Sequence, residues 1–204
     1  KVPCSTGWVC KIQNTVSDAL QQPYQELQKQ LENQEQLFVD ESPTKQNKLK
    51  AWLWVAVASS FAVFGIFLNR KRTSLKQLIG DYSGIIINCD RAKMYHDGKT
   101  LQWCWSHLDR DIQKLIDNPD RQVKRFGNDL KREQKMLFDL WHKYKNKQLS
   151  WRQFQVHSKP ICKQFDAYVL RGAFSGNDKL MGMCEELYRH RDWLWTFTQV
   201  RGIE

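Results

Sequence analysis

Apolar positions recur at three- and four-residue steps from the start of the chain. Val9, Ile12, Val16, Leu20, Tyr24, Leu27 and Leu31 form one stripe. It predicts a helical arm over 5–35, capped by Ser5-Thr6 and kinked or broken at Pro23. The pattern then shortens. Leu37-Phe38-Val39 leads into Asp40, and Ile85-Ile86-Ile87-Asn88-Cys89 leads into Asp90. Both runs read as strands that deliver a carboxylate at their end. Between them a polar loop is expected over 41–50, and then Ala51 to Leu68, 18 residues without a charge. That length is at the lower limit for a membrane span, and basic residues flank it. Its β-branched and aromatic content, with Ser59-Ser60 in the middle, predicts a hairpin of two covered strands instead. A short helix over 73–79 ended by Gly80, a strand near 101–105 and a helix beginning near His107 complete the first half.

From about 111 to 196 the periodicity is helical only. Leu130, Leu137, Phe138, Trp141 and Tyr144 make one stripe; Phe154, Ile161, Phe165, Tyr168 and Val169 make a second, across Pro160; Leu180, Met183, Cys184, Leu187, Trp193 and Leu194 make a third. The class predicted is α/β: a mixed sheet with an all-helical subdomain inserted in it or appended to it.

Charge changes the picture next. The formal net charge is +10, which favours a polyanion partner, although it also serves solubility. Residues 121–152 hold ten Lys or Arg against three Asp or Glu. Their aromatics fit a helix core face, and their cations fit sequence-independent contacts to a DNA backbone. The six cysteines are scattered, without a CxxC pair, which fits a reducing compartment. No signal peptide is visible. The start at Lys1 and the stop at Glu204 suggest a fragment of a longer protein.

Three strands, a helix and further strands, with Asp on the first and fourth strands, is the order of a ribonuclease H-like domain. There the first and fourth strands are neighbours, about 4.8 Å apart. Carboxylates at matched heights can share divalent ions, and Mg²⁺ suits oxygen ligands. Acidic strand ends also arise as ordinary caps of local backbone, and spacing alone does not separate the two. Cys104-x-x-His107 has no second ligand pair at zinc-site spacing. Its cysteine reads as a core residue. Its histidine, at a helix start, reads as a structural side chain or as a donor to a phosphate or an acid.

Several segments together carry a resemblance. They are Val39-Asp40-Glu41-Ser42, Ala51-Trp52-Leu53-Trp54-Val55, Cys89-Asp90-Arg91-Ala92-Lys93-Met94-Tyr95, the run from Leu101 to Asp111, and Trp193-Leu194-Trp195-Thr196-Phe197. In order and spacing the chain resembles, from about Gly7 onward, the central and catalytic part of a bacterial transposase of insertion-sequence family 66. The resemblance implies a DDE-type enzyme with a ribonuclease H-like core and a helical insertion. It implies a helical arm over 1–36, a partial core over 37–111, the insertion over 112–198 and the start of a return to the core over 199–204. Asp40 becomes the first acid and Asp90 the second, both as metal ligands for Mg²⁺ or Mn²⁺. Cys104 and His107 become the Cys-x-x-His element after the second acid, with His107 a catalytic candidate. The third acid, a Glu in an Asn-Asn-x-x-Glu-Arg-type motif, is absent. Neither Glu204 nor Glu185 nor Glu186 matches it. The implied partners are transposon-end and target DNA and further copies of the chain, in the bacterial cytoplasm on the nucleoid, with no membrane. The alternative is a catalytically inactive DNA-binding remnant.

Overall fold

The computed structural model describes residues 5–97 and 100–203. The chain divides into two compact units, Lys1–Lys99 and Thr100–Glu204.

The first unit opens with helix α1, Thr6–Gln30, whose first turn is capped by the Ser5 hydroxyl accepting from the Trp8 N–H at 3.2 Å. Pro23 does not break it. None of its residues is buried, so the predicted apolar stripe lies open from Val9 to Leu27, and its last member, Leu31, is buried just past the helix end. Its C-terminal half is tied down by polar contacts. Tyr24 OH donates to the Phe64 carbonyl at 2.8 Å, and Gln28 Nε2 donates to the Gln77 and Leu78 carbonyls at 2.8 and 3.1 Å.

Four strands follow: β1 Gln36–Gln46, β2 Leu49–Val57, β3 Ala62–Phe67 and β4 Ile86–Cys89. They lie in the order β3-β2-β1-β4. β2 is antiparallel to β1 and β3, and β4 is parallel to β1. The uncharged segment 51–68 thus forms the body of a hairpin, and among the described residues no helix is long and apolar enough to cross a membrane. The expected loop over 41–50 is different. β1 runs on to Gln46 and turns through Asn47 and Lys48, both at positive φ, 49° and 66°. A two-residue turn with both φ positive matches the right-handed twist of its strands. The polar residues of 42–50 hid this second hairpin, because its far end has no covered face to impose an apolar alternation.

Helix α2, Arg72–Ile79, covers one face of these strands with Leu75, Leu78 and Ile79, each at most 1% exposed. It ends at Gly80, at φ +83°, where a Cβ would stand 1.7 Å from Glu32 Oε1. That oxygen accepts from the Asp81 N–H at 3.0 Å. Glycine is therefore required there both by conformation and by space.

The second unit begins with the short strand β5, Leu101–Trp103, followed by helices α3 Trp105–Ile116, α4 Arg121–Lys145, α5 Trp151–Ala173, α6 Asp178–Arg189 and α7 Thr196–Gln199. Three of these helices are capped by side chains: Asp120 accepts from Gln122 and Val123 N–H, Ser150 and Gln153 form a capping box, and Asn177 accepts from the Lys179 N–H. α5 continues through Pro160. Trp105 is the hub of an aromatic core, 5.4–5.6 Å from Phe138, Phe165 and Trp195. The buried segment 194–197 closes back on β5. Thr196 Oγ1 donates to the Leu101 carbonyl, the Phe197 N–H to Gln102 Oε1 at 2.8 Å, and Trp105 Nε1 to the Leu194 carbonyl at 3.1 Å.

Asp166 is partly buried in this core and accepts from Trp195 Nε1 at 3.1 Å. Burial pushes its carboxyl from 3.8 up to about 6, against the pull of the Trp195 hydrogen bond and Arg191. A folded-state value above the unfolded one means that the folded chain holds this proton more tightly. The group's contribution to stability is therefore fully present below about pH 4 and is lost as pH rises through about 6. Asp166→Asn keeps an acceptor for Trp195 and removes the titration. The stability difference between wild type and this variant, from urea unfolding at pH 4 to 7, is expected to shift against wild type across that window and to be flat above it.

A candidate acid site on two parallel strands

β1 and β4 pair with Gln36 opposite Ile86, Leu37 opposite Ile87 and Phe38 opposite Asn88. Two residues beyond Phe38 and Asn88 stand Asp40 and Asp90. Leu37 and Ile87 are fully buried, and Asn88 Nδ2 donates to the Leu37 carbonyl at 3.3 Å. A slip by one residue would turn Leu37 and Val39 to the open face. Burial of the apolar residues thus fixes the register, and the register sets the two acids level.

The alternation of β1 then separates two neighbouring carboxylates. Leu37, Val39 and Glu41 are buried, while Phe38 and Asp40 are exposed. Asp40 Oδ1 accepts from the Glu41 N–H at 3.0 Å. Asp90 is half-buried. Its Oδ1 accepts from the Ala92 N–H at 2.8 Å and its Oδ2 from Arg70 Nη2 at 3.0 Å.

Three residues that the sequence reading did not select complete the cluster: Glu41, Arg70 and Tyr95. The Glu41 side chain is 0% exposed and accepts from Arg70 Nε and from Tyr95 OH. Burial raises its carboxyl above the ordinary range, Tyr95 and Arg70 pull it down, and the Asp90 charge adds to the rise. Tyr95 is 1% exposed, and its phenol is held well above its ordinary value by burial and then by Glu41. The Arg70 guanidinium also lies over the Trp52 ring, 5.4 Å from its centroid. The period-two pattern contained one of these signals: Leu37, Val39 and Glu41 share a parity, so extending the strand by one residue past Asp40 would have turned Glu41 inward.

Only Asp90 follows a strand end; Asp40, expected at one, lies within β1 opposite Val55 of β2, because β1 continues to Gln46, and His107 belongs to the second unit. It stands in the first turn of α3, directly after the half-buried free thiol of Cys104. Its Nδ1 is buried and has no hydrogen-bond partner among the described residues. Among those residues, no three or more His, Cys, Asp or Glu are arranged to hold a metal ion. What the paired strands β1 and β4 offer is a pair of carboxylates, an all-oxygen donor set that suits Mg²⁺ or Mn²⁺ and leaves further positions to other oxygens.

The basic stretch of 121–152 falls mainly on α4. Arg121, Lys124, Arg125, Arg132, Lys135 and Lys143 are exposed. Their spacing puts them on one face over about 33 Å of helix. Arg132 is paired with Asp129 and Glu133, whereas the other five have no ion pair among the described residues. The aromatics of the same stretch face the core, with Phe126 and Trp141 buried.

A family model described as Transposase IS66 family matches the chain over residues 1–204. No curated protein matches it.

Proposed function

The chain belongs to the Transposase IS66 family, and from that premise we propose that it carries the first two acids of a DDE-type transposase. On this reading the intact enzyme cleaves DNA at transposon ends and joins the strands to a target. The observation that carries the proposal is the parallel pairing of β1 with β4, which puts Asp40 and Asp90 at one height. The strand order β3-β2-β1-β4, with β2 antiparallel, supports a ribonuclease H-like core, and the helices from α3 onward support a helical insertion. The proposed core over 37–111 spans the division between the two compact units after Lys99. The arm over 1–36, the insertion over 112–198 and the return over 199–204 remain part of the same proposal.

Asp40 and Asp90 would hold Mg²⁺ or Mn²⁺. Such a cation supplies charge neutralisation at a phosphodiester and an activated oxygen nucleophile. The chain's own part is to aim the carboxylates. The Ala92 N–H and Arg70 fix Asp90 from two sides, and the Glu41 N–H fixes one oxygen of Asp40. His107, at the start of α3, is proposed as a group that donates to a phosphate or orients an acid. The partners on this reading are transposon-end DNA, target DNA and further copies of the chain, and the location is the bacterial cytoplasm. A second reading, a DNA-binding remnant that cleaves nothing, is favoured because no third acid is arranged with the pair to hold a metal ion among the described residues, Glu41 being buried against Arg70 and Tyr95.

Asp90→Asn in the intact transposase is expected to abolish Mg²⁺-dependent strand cleavage while leaving DNA binding in place. Retained cleavage would remove Asp90 from the site, and a wild-type protein that binds DNA but never cleaves it would favour the remnant. For the exposed face of α4 the expectation is electrostatic. Replacing Lys124, Arg125 and Lys135 together by Ala should lower the slope of log K against log salt by about 0.9 for each phosphate that is no longer neutralised, equally for transposon-end and unrelated duplexes. An unchanged slope would place the DNA elsewhere.

A further inference from the structure

Glu41 is the charge in this cluster that cannot do without a partner. Its side chain is completely buried, and a buried carboxylate is tolerated only when paired and hydrogen-bonded. Arg70 and Tyr95 supply both needs. Arg70 Nε and Nη2 both lie on Glu41 Oε1, so the guanidinium is anchored there, and the Trp52 ring supports it 5.4 Å away.

The contact of Arg70 with Asp90 is of another kind. Asp90 is 20% exposed, and its other oxygen is already satisfied by the Ala92 N–H. Neutralising Glu41 does not require Arg70 to reach Asp90. Yet Nη2 stands 3.0 Å from Asp90 Oδ2, on the acid that stands level with Asp40. A divalent cation coordinated by that oxygen would meet a guanidinium fixed from behind by Glu41, and like charges at such range oppose each other.

We propose that Arg70 is a positioning residue: it occupies Asp90 Oδ2 in the cation-free chain, holds the second acid in one orientation, and competes with a divalent cation for that oxygen. The inference rests on the reading of Asp90 as a metal ligand. It makes Arg70, anchored through Glu41 and Tyr95, the element that sets how much cation the acid pair needs. Arginine is suited to this because its planar fork can serve two carboxylates at once, whereas a lysine ammonium serves one point.

The test is Mn²⁺ binding to the purified 204-residue chain, followed by loss of the free-ion paramagnetic resonance signal, without any activity assay. Arg70→Gln alone would leave Glu41 buried and uncompensated and is a poor reporter because it threatens folding. Two other variants avoid this. Arg70→Lys keeps a cation beside Glu41 but gives up the second nitrogen, and the pair Glu41→Gln with Arg70→Gln removes both charges while keeping an acceptor for Tyr95 OH. Circular dichroism melting checks that each is folded. Both variants are expected to bind Mn²⁺ more tightly than wild type, on the order of tenfold, because a competing cation no longer sits on Asp90 Oδ2, and Asp90→Asn added to either should abolish the gain. Binding that is equal to or weaker than wild type in both, or absent from all forms, overturns the role of Arg70. If both variants gain affinity and Asp90→Asn leaves the gain intact, the reading of Asp90 as a ligand fails instead.

Discussion

The parallel contact between β1 and β4 holds the candidate site together. It is only a few residues long, from Gln36 opposite Ile86 to Phe38 opposite Asn88. Its position is fixed because Leu37 and Ile87 are both fully buried, and a shift by one residue would expose them. The acids contribute nothing to that register. They inherit it, since they follow the apolar runs directly. Apolar burial, which is non-directional, is thereby converted into a defined height for two carboxylates.

Just past those acids the chain carries its main electrostatic tension. Glu41 follows Asp40 in sequence but faces inward, so burial opposes its charge, and Asp90 stands close enough to add to that. Arg70 comes from the segment just after β3 and Tyr95 from the turn after β4. The hairpin, the helix α2 and the strand β4 must therefore all be in place before Glu41 is satisfied. A buried ion pair of this sort is weak evidence for stability and better evidence for a geometry that must form correctly.

The sequence disclosed what depends on apolar pattern. The runs before Asp40 and Asp90, the hairpin within 51–68, the short helix ending at Gly80 and the helical second half all bury apolar side chains and were legible, although the hairpin was expected to be covered on both faces and leaves Leu53, Phe64 and Ile66 exposed on one. It disclosed less where the covered face gives out. Residues 42–46 continue β1 with no buried side chain on either face, and the turn at Asn47-Lys48 is set by backbone twist. Of the added site residues, Glu41 was readable in principle from its parity with Leu37 and Val39. Arg70 and Tyr95 were not, because their role exists only once distant segments meet. The family match spans the chain, and the segments that carried the resemblance recur in the fold: those around 101–105 and 194–197 are hydrogen-bonded to one another in the second unit.

The central claim is that Asp40 and Asp90 together hold a divalent cation. Crystals of the chain soaked in Mn²⁺ and measured at a wavelength where manganese scatters anomalously test it most directly. An anomalous peak is expected within coordination distance of both carboxylates, with Arg70 Nη2 withdrawn from Asp90 Oδ2. No peak there under saturating Mn²⁺, or a peak bound by other side chains alone, would contradict it.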